Sequence, residues 1–176
     1  KMGGTIDFSS EKDIGTTYRI TIPFCIDHNA ASTSEAETSD EEISLSGYHI
    51  LLAEDNSLNL EIAEFILTDA GATVTEAHNG KEALTLFEAS SPQEYDLILM
   101  DVMMPVMDGY QATKAIRSLD RADAATIPIL AMTANAFAED RQKTFSAGMN
   151  EHLTKPLDTE LLLKTIAKYT PRKKLL

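Results

Sequence analysis

From Tyr48 to Tyr169 the hydrophobic period of this chain switches back and forth between strand-like and helix-like, and that alternation restricts the possible folds most. His49–Ala53 is a short apolar run. Over Ser57–Ala70 the spacing predicts a helix, with Leu58, Ile62, Phe65 and Ile66 as its inward stripe and Gly71 as its stop. Ala72–Glu76 reads as a second strand. Asn79, with Glu82 three residues on, has capping-box spacing and opens a helix whose stripe is Ala83, Leu84 and Phe87. Tyr95–Met100 is a continuous apolar strand, Asp108–Leu119 a helix, and Ile127–Met132 another apolar strand. A helix from about Phe137 ends at Gly148, Asn150–Leu153 is a short strand, and Asp158–Tyr169 is the last helix. Its inward residues are expected to be Leu161, Leu162, Ile166 and Ala167. Five β–α units, two of their strands apolar throughout, require a parallel sheet covered on both faces. Right-handed crossovers then make an α/β, doubly wound, three-layer domain. In that architecture the ligand crevice lies at the C-terminal ends of the strands.

The rest of the chain reads differently. Ile6 and Phe8 alternate on one short strand, and Tyr18, Ile20 and Ile22 on a second, with a polar Ser9–Gly15 turn between them. Residues 1–26 are therefore a β-hairpin, which alone is marginal in water. Residues 27–47 carry six acids and no Lys or Arg, and only Ile43 and Leu45 break their polarity. Such a segment cannot bury enough apolar area to offset its ordering entropy, so it reads as an acidic linker. The domain proper is expected over 48–170, followed by a basic tail over 171–176. The net charge of −13 opposes sequence-independent nucleic-acid binding and docking on anionic lipid. A single cysteine, Cys25, excludes an internal disulfide framework and fits a reducing compartment. No apolar run reaches membrane-span length, and no signal-peptide pattern opens the chain. The first residue is Lys1 rather than Met, so a fragment of something longer is expected.

Functional groups gather where strands end. Glu54 and Asp55 follow the first strand of the doubly wound region, Asp101 the third, Thr133 ends the fourth and Lys155 follows the fifth. Single acids after strands are often helix caps, and Asp108 reads as one. Three acids brought to one rim repel each other, and a hard cation removes that conflict. Mg²⁺ prefers oxygen ligands and takes one or two carboxylates together with phosphate oxygens. Acids, a cation, a Lys and a Thr around one aspartate make a site that receives a phosphoryl group.

The set Glu54-Asp55, Asp101 in LMDVMMPVMDG, Thr133-Ala134 in MTANA and Lys155-Pro156 in LTKP resembles the receiver domain of two-component response regulators, over roughly Tyr48 to Tyr169. The resemblance implies a flavodoxin-like (βα)5 fold with strand order 2-1-3-4-5. It implies that Asp101 is the phosphorylated residue and that Asp55, Asp101 and the backbone carbonyl of Met103 ligate Mg²⁺, with Glu54 acting through metal-bound water. Lys155 would contact the phosphoryl oxygens and Thr133 would move inward toward them. The Lys155–Pro156 peptide is usually cis in the family. His152 stands where the family commonly has the Tyr or Phe that turns inward with Thr133, so its switch is expected to be weaker or pH-sensitive. Met103 and Asn135 flank the path of the hydrolytic water, which implies an intermediate acyl-phosphate lifetime. Of the other histidines, His28, His49 and His78, none lies in a helical dimerisation segment, so no phosphodonor histidine is read here.

The hairpin GGTIDFSSEKDIGTTYRITIPF resembles the last hairpin of the ATP-binding domain of sensor histidine kinases. Hairpin, linker and receiver in that order imply the C-terminal part of a hybrid sensor histidine kinase, without the kinase machinery itself. The expected partners are the kinase core and a histidine phosphotransfer protein, met by a surface around the site that includes the first helix, where Asn56, Ser57 and Asn59 lie near the rim. Direct contact with membrane or nucleic acid is not expected. The orphaned apolar face of the hairpin also admits a homodimer. A cytoplasmic location is expected, with the parent open to membrane anchoring. Seven residues follow Tyr169, which disfavours a transcription factor. A stand-alone phosphorylation-dependent switch is the main alternative. A Mg-dependent phosphatase with an Asp nucleophile wants a second acid two residues on, where this chain has Met103.

Overall fold

Two antiparallel strands, β1 (Thr5–Glu11) and β2 (Gly15–Thr21), form an N-terminal hairpin in which Ile6 faces Ile20 and Phe8 faces Tyr18. The ladder runs further into the polar turn than its composition foretells. Glu11 pairs with Gly15, and the Ser10 and Thr16 hydroxyls hydrogen-bond at 2.8 Å. Both strands are exposed along their whole length. The computed structural model describes residues 3–12, 15–23, 43–134 and 138–170, and the chain divides into two units, 1–41 and 42–176.

In the second unit β3 (His49–Ala53), α1 (Ser57–Asp69), β4 (Thr73–Ala77), α2 (Gly80–Ala89), β5 (Leu97–Asp101), α3 (Gly109–Arg117), β6 (Ile129–Thr133), α4 (Ala138–Ser146), β7 (Glu151–Thr154) and α5 (Thr159–Tyr169) alternate along the chain. The five strands form one parallel sheet in the order β4-β3-β5-β6-β7. The order reverses at β3, so the crevice opens beyond the carboxyl ends of β3 and β5. Every residue of β5 and β6 is buried, because both faces of the sheet are covered. Ile98 and Met100 face a cluster closed by Phe87 of α2 and Ile116 of α3. Leu97 and Leu99 face a cluster closed by Leu60 and Leu67 of α1 and Leu162 and Ile166 of α5.

Helix starts are set by caps. Asn56, Asn79, Asp108 and Asp158 each accept backbone N–H bonds from the first turn of α1, α2, α3 and α5. Arg121 closes the α2 side. It pairs with Asp123 at 2.7 Å, donates to the carbonyls of Phe87, Ser90 and Ser91, and lies over the Phe87 ring at 4.3 Å. Arg117 ties α3 to the loop before β7 through the Gly148 carbonyl and the Asn150 side chain. No helix among the described residues is long and apolar enough to cross a membrane.

Three expectations need correction. Leu58, Ile62 and Phe65 of α1 face solvent, and Leu60, Ala63 and Leu67 are buried instead. Both sets repeat at helical spacing, and only the position of the sheet decides between them. On α5, Leu161 and Ala167 are exposed while Thr165 takes the inward place, its hydroxyl donating to the Leu161 carbonyl at 2.7 Å. Finally, the folded unit starts before residue 48. Leu45 is 1% exposed, its N–H donates to the Ala70 carbonyl at 2.7 Å, and Ile43 packs against the same cluster. Two apolar residues suffice to seat residues 43–45 against the core. Most of the expected linker, and the tail over 171–176, lie outside the described residues.

Candidate functional site

The chemistry-bearing residues expected at the strand ends do meet. β3 delivers Glu54, whose N–H is fixed to the Ala77 carbonyl at 3.0 Å, and the next residue, Asp55, is exposed. β5 ends on Asp101, which is 5% exposed. The backbone there is gripped by the start of α3. A Cβ on Gly109 would lie 2.2 Å from the Asp101 carbonyl oxygen, so only glycine permits the Gly109 N–H bond to the Val102 carbonyl at 3.0 Å. Thr133 ends β6 and is buried, and its carbonyl accepts the Lys155 N–H at 2.8 Å. The Lys155–Pro156 peptide is cis, as the resemblance implied.

Glu54, Asp55 and Asp101 each offer an oxygen within 4.8 Å of the others. The Lys155 ammonium donates to Asp101 Oδ2 at 2.7 Å and to Glu54 Oε2. The other Asp101 oxygen accepts the Met103 N–H at 3.1 Å. Burial opposes the charge on Lys155, but the hydrogen bonds to Asp101 and Glu54 outweigh it and hold its pKa above the ordinary value. One lysine answers three carboxylates, two of them buried. This all-oxygen, charge-deficient donor set fits a hard divalent cation such as Mg²⁺.

Two features escaped the sequence reading. The Asn59 amide donates to Glu54 Oε1 at 3.1 Å, and the Asn56 N–H reaches the same oxygen at 3.3 Å. The only signal was a polar residue in the first turn of a helix that follows an acidic strand end. The second is an exposed apolar collar. Met103 and Val106 in the loop after β5 are 76% and 84% exposed, and Leu58, Ile62 and Phe65 of α1 are exposed as well. Val106 has φ 68°, a left-handed conformation that a β-branched residue rarely adopts. His152 pairs with Ala131 on β6, its side chain is 15% exposed, and its Nδ1 is buried without a hydrogen-bond partner, 3.7 Å from Glu151 Oε1. Asn135 lies outside the described residues.

Known proteins resemble this chain. The model of the response regulator receiver domain matches residues 50–167. Hybrid signal transduction histidine kinase I of Dictyostelium discoideum is 39% identical over 119 residues, covering 66% of this chain and 7% of that protein. Histidine kinase 5 of Arabidopsis thaliana is 33% identical, and the match covers 95% of this chain and 19% of the plant protein. The chain thus spans a small part of these relatives. Among solved structures, the receiver domain of a sensor histidine kinase of Pseudomonas aeruginosa, with a magnesium ion coordinated in its active site cleft, is 38% identical with TM-score 0.65. That match covers 72% of this chain and 100% of the other. The receiver domain of a Saccharomyces cerevisiae response regulator, co-crystallised with a histidine phosphotransfer signaling protein, is 29% identical with TM-score 0.62, covering 70% of this chain and 88% of the other. Sheet order, carboxylate cluster and family match agree, and the chain belongs to the response regulator receiver domain family, with hybrid histidine kinases among its relatives.

Proposed function

We propose that this chain is the phosphoacceptor module of a hybrid histidine kinase, taking a phosphoryl group from a phosphohistidine of the kinase core onto Asp101 and passing it to a histidine phosphotransfer protein. The observation that carries this reading is the buried Asp101 carboxylate, held by Lys155 and the Met103 N–H within a cluster of three acids. One Asp101 oxygen attacks phosphorus, and the P–N bond breaks with its electron pair going to the imidazole nitrogen, which takes up a proton. In the onward step an imidazole nitrogen of the partner attacks, the P–O bond breaks and the Asp101 carboxylate is restored. Both steps run through a phosphoryl group whose charge is spread over three oxygens, so positioning and electrostatics dominate.

The residues divide this work. Asp55, Asp101 and the Met103 carbonyl are the proposed direct ligands of Mg²⁺, with Glu54 behind them. A bound Mg²⁺ supplies charge neutralisation for the transferring oxygens. Lys155 remains cationic at neutral pH because its pKa is raised, and its ammonium can leave Asp101 for a phosphoryl oxygen. Thr133 donates its hydroxyl to that oxygen. His152 turns with Thr133. Its Nδ1 lies 3.7 Å from Glu151 Oε1, and the other Glu151 oxygen pairs with Lys168 at 3.1 Å.

The partner surface is the apolar collar of Leu58, Ile62, Phe65, Met103 and Val106. These residues are exposed, and the yeast neighbour co-crystallised with a phosphotransfer protein supports a partner of that kind. Residues 1–26 are read as the edge hairpin of the parent's ATP-binding domain. The test is labelling with a small phosphodonor, then addition of candidate phosphotransfer proteins. Asp101→Asn should not label at all, and normal labelling of that variant overturns the proposal. Retention of label with every partner favours a switch that keeps its phosphoryl group.

A further inference from the structure

Glu54 is the least obvious member of the carboxylate cluster, since three rotatable bonds separate its carboxylate from the strand that carries it. Among the described residues three donors reach it. Oε2 takes the Lys155 ammonium, while Oε1 takes the Asn59 amide at 3.1 Å and the Asn56 N–H at 3.3 Å. An ionised carboxylate only accepts, so the Asn59 side chain must present its nitrogen. Asn59 is itself fixed, because its backbone N–H donates to the capping Asn56 side chain at 3.1 Å. A relay therefore runs from the helix cap through Asn59 to Glu54. Glu54, Asn59 and Lys155 line a small cavity together with Ile62, Pro156 and Leu157.

We propose that Asn59 is a positioning residue of the cation site, fixing from one oxygen the Glu54 carboxylate that Lys155 holds from the other, so that it faces Asp55 and Asp101. The inference rests on the metal-dependent reading above. The residue type is part of the argument. An Asp at 59 would repel Glu54, and a Lys would neutralise it and compete with the cation. Asn supplies a donor without a charge. Without it, Glu54 keeps Lys155 on one oxygen and only the longer Asn56 N–H bond on the other, and its carboxylate is less firmly oriented toward Asp55 and Asp101. Groups behind the direct ligands orient them in this way, and their loss typically lowers metal affinity by about 10–100-fold.

The test is an Mn²⁺ titration of the full chain, read by the electron paramagnetic resonance of free Mn²⁺, on wild type, Asn59→Ala, Glu54→Ala and the double variant. Asn59→Leu serves as a second variant of similar size, and thermal melts report folding. Asn59→Ala should weaken Mn²⁺ binding on the order of tenfold in the wild-type background. With Glu54→Ala already present, binding persists through Asp55 and Asp101, and Asn59→Ala should change it less than about twofold. An equal loss in both backgrounds, or unchanged affinity in both Asn59 variants, overturns the role given to Asn59 and leaves the metal reading standing. A wild-type chain that binds no Mn²⁺ overturns the metal reading and this inference with it.

Discussion

The hairpin and the parallel sheet are built from similar β-forming residues and come to opposite ends. Ile6, Phe8, Tyr18 and Ile20 remain 63–72% exposed, whereas Leu97, Ile98, Leu99 and Met100 are fully buried. The difference is coverage. Two strands provide one apolar face and no layer to set on it, whereas each β–α unit carries its own cover. An apolar strand is therefore a request for a second layer, and only the β–α repeat answers it within its own unit.

The contrast can be broken most directly in the core. Phe87→Ala should cost the receiver about 3–5 kcal/mol in urea unfolding, because it leaves a cavity under α2. Phe8→Ala, at an exposed site, should cost less than about 0.5 kcal/mol. Comparable losses would mean that the hairpin is a working part of the core. Next in size is the Arg121 staple, and Asp123→Ala should cost about 2 kcal/mol. Its hydrogen bonds from Arg121 hold the Asp123 pKa at about 2 against an ordinary 3.8. A folded pKa below the unfolded one means stability present at higher pH and lost on acidification, here as pH falls from 3.8 toward about 2. Asp123→Asn should flatten that acid limb in pH-dependent melts.

A third substitution separates exposed apolar residues that serve binding from those that serve folding. Phe65→Asp, at a site 68% exposed, should change stability by less than about 0.5 kcal/mol. It should still slow transfer to a phosphotransfer partner while leaving labelling by a small phosphodonor intact. Equal slowing of both would remove α1 from the docking surface. The smallest effect is expected from deleting residues 1–26. Both halves of the receiver core are made from residues after 42, so its melting temperature should stay within about 2 °C.

Much of the site was readable because its residues sit where periodicity changes. Glu54, Asp101, Thr133 and Lys155 mark strand ends, and a parallel sheet brings such ends to one rim whatever the details of packing. Asp108 and Asn79 were readable as caps because capping is local. Asn59 was not, because an amide in the first turn of a helix looks like surface until the side chain it touches is known. Leu45 was missed for a related reason, as one leucine in an acidic stretch carries no period.

Local pattern alone thus determined the α/β class, the β–α repeat, the cap positions and the set of groups at the strand ends. These depend on spacing along the chain, and spacing is a property of sequence. Tertiary structure decided which of two equally spaced stripes of α1 turns inward, where the folded unit begins and which donors hold Glu54. Each of these depends on what lies across a gap from the residue in question. Burial of Leu60 and Leu67 and exposure of Ile62 and Phe65 follow from where the sheet lies, which no helical period can state.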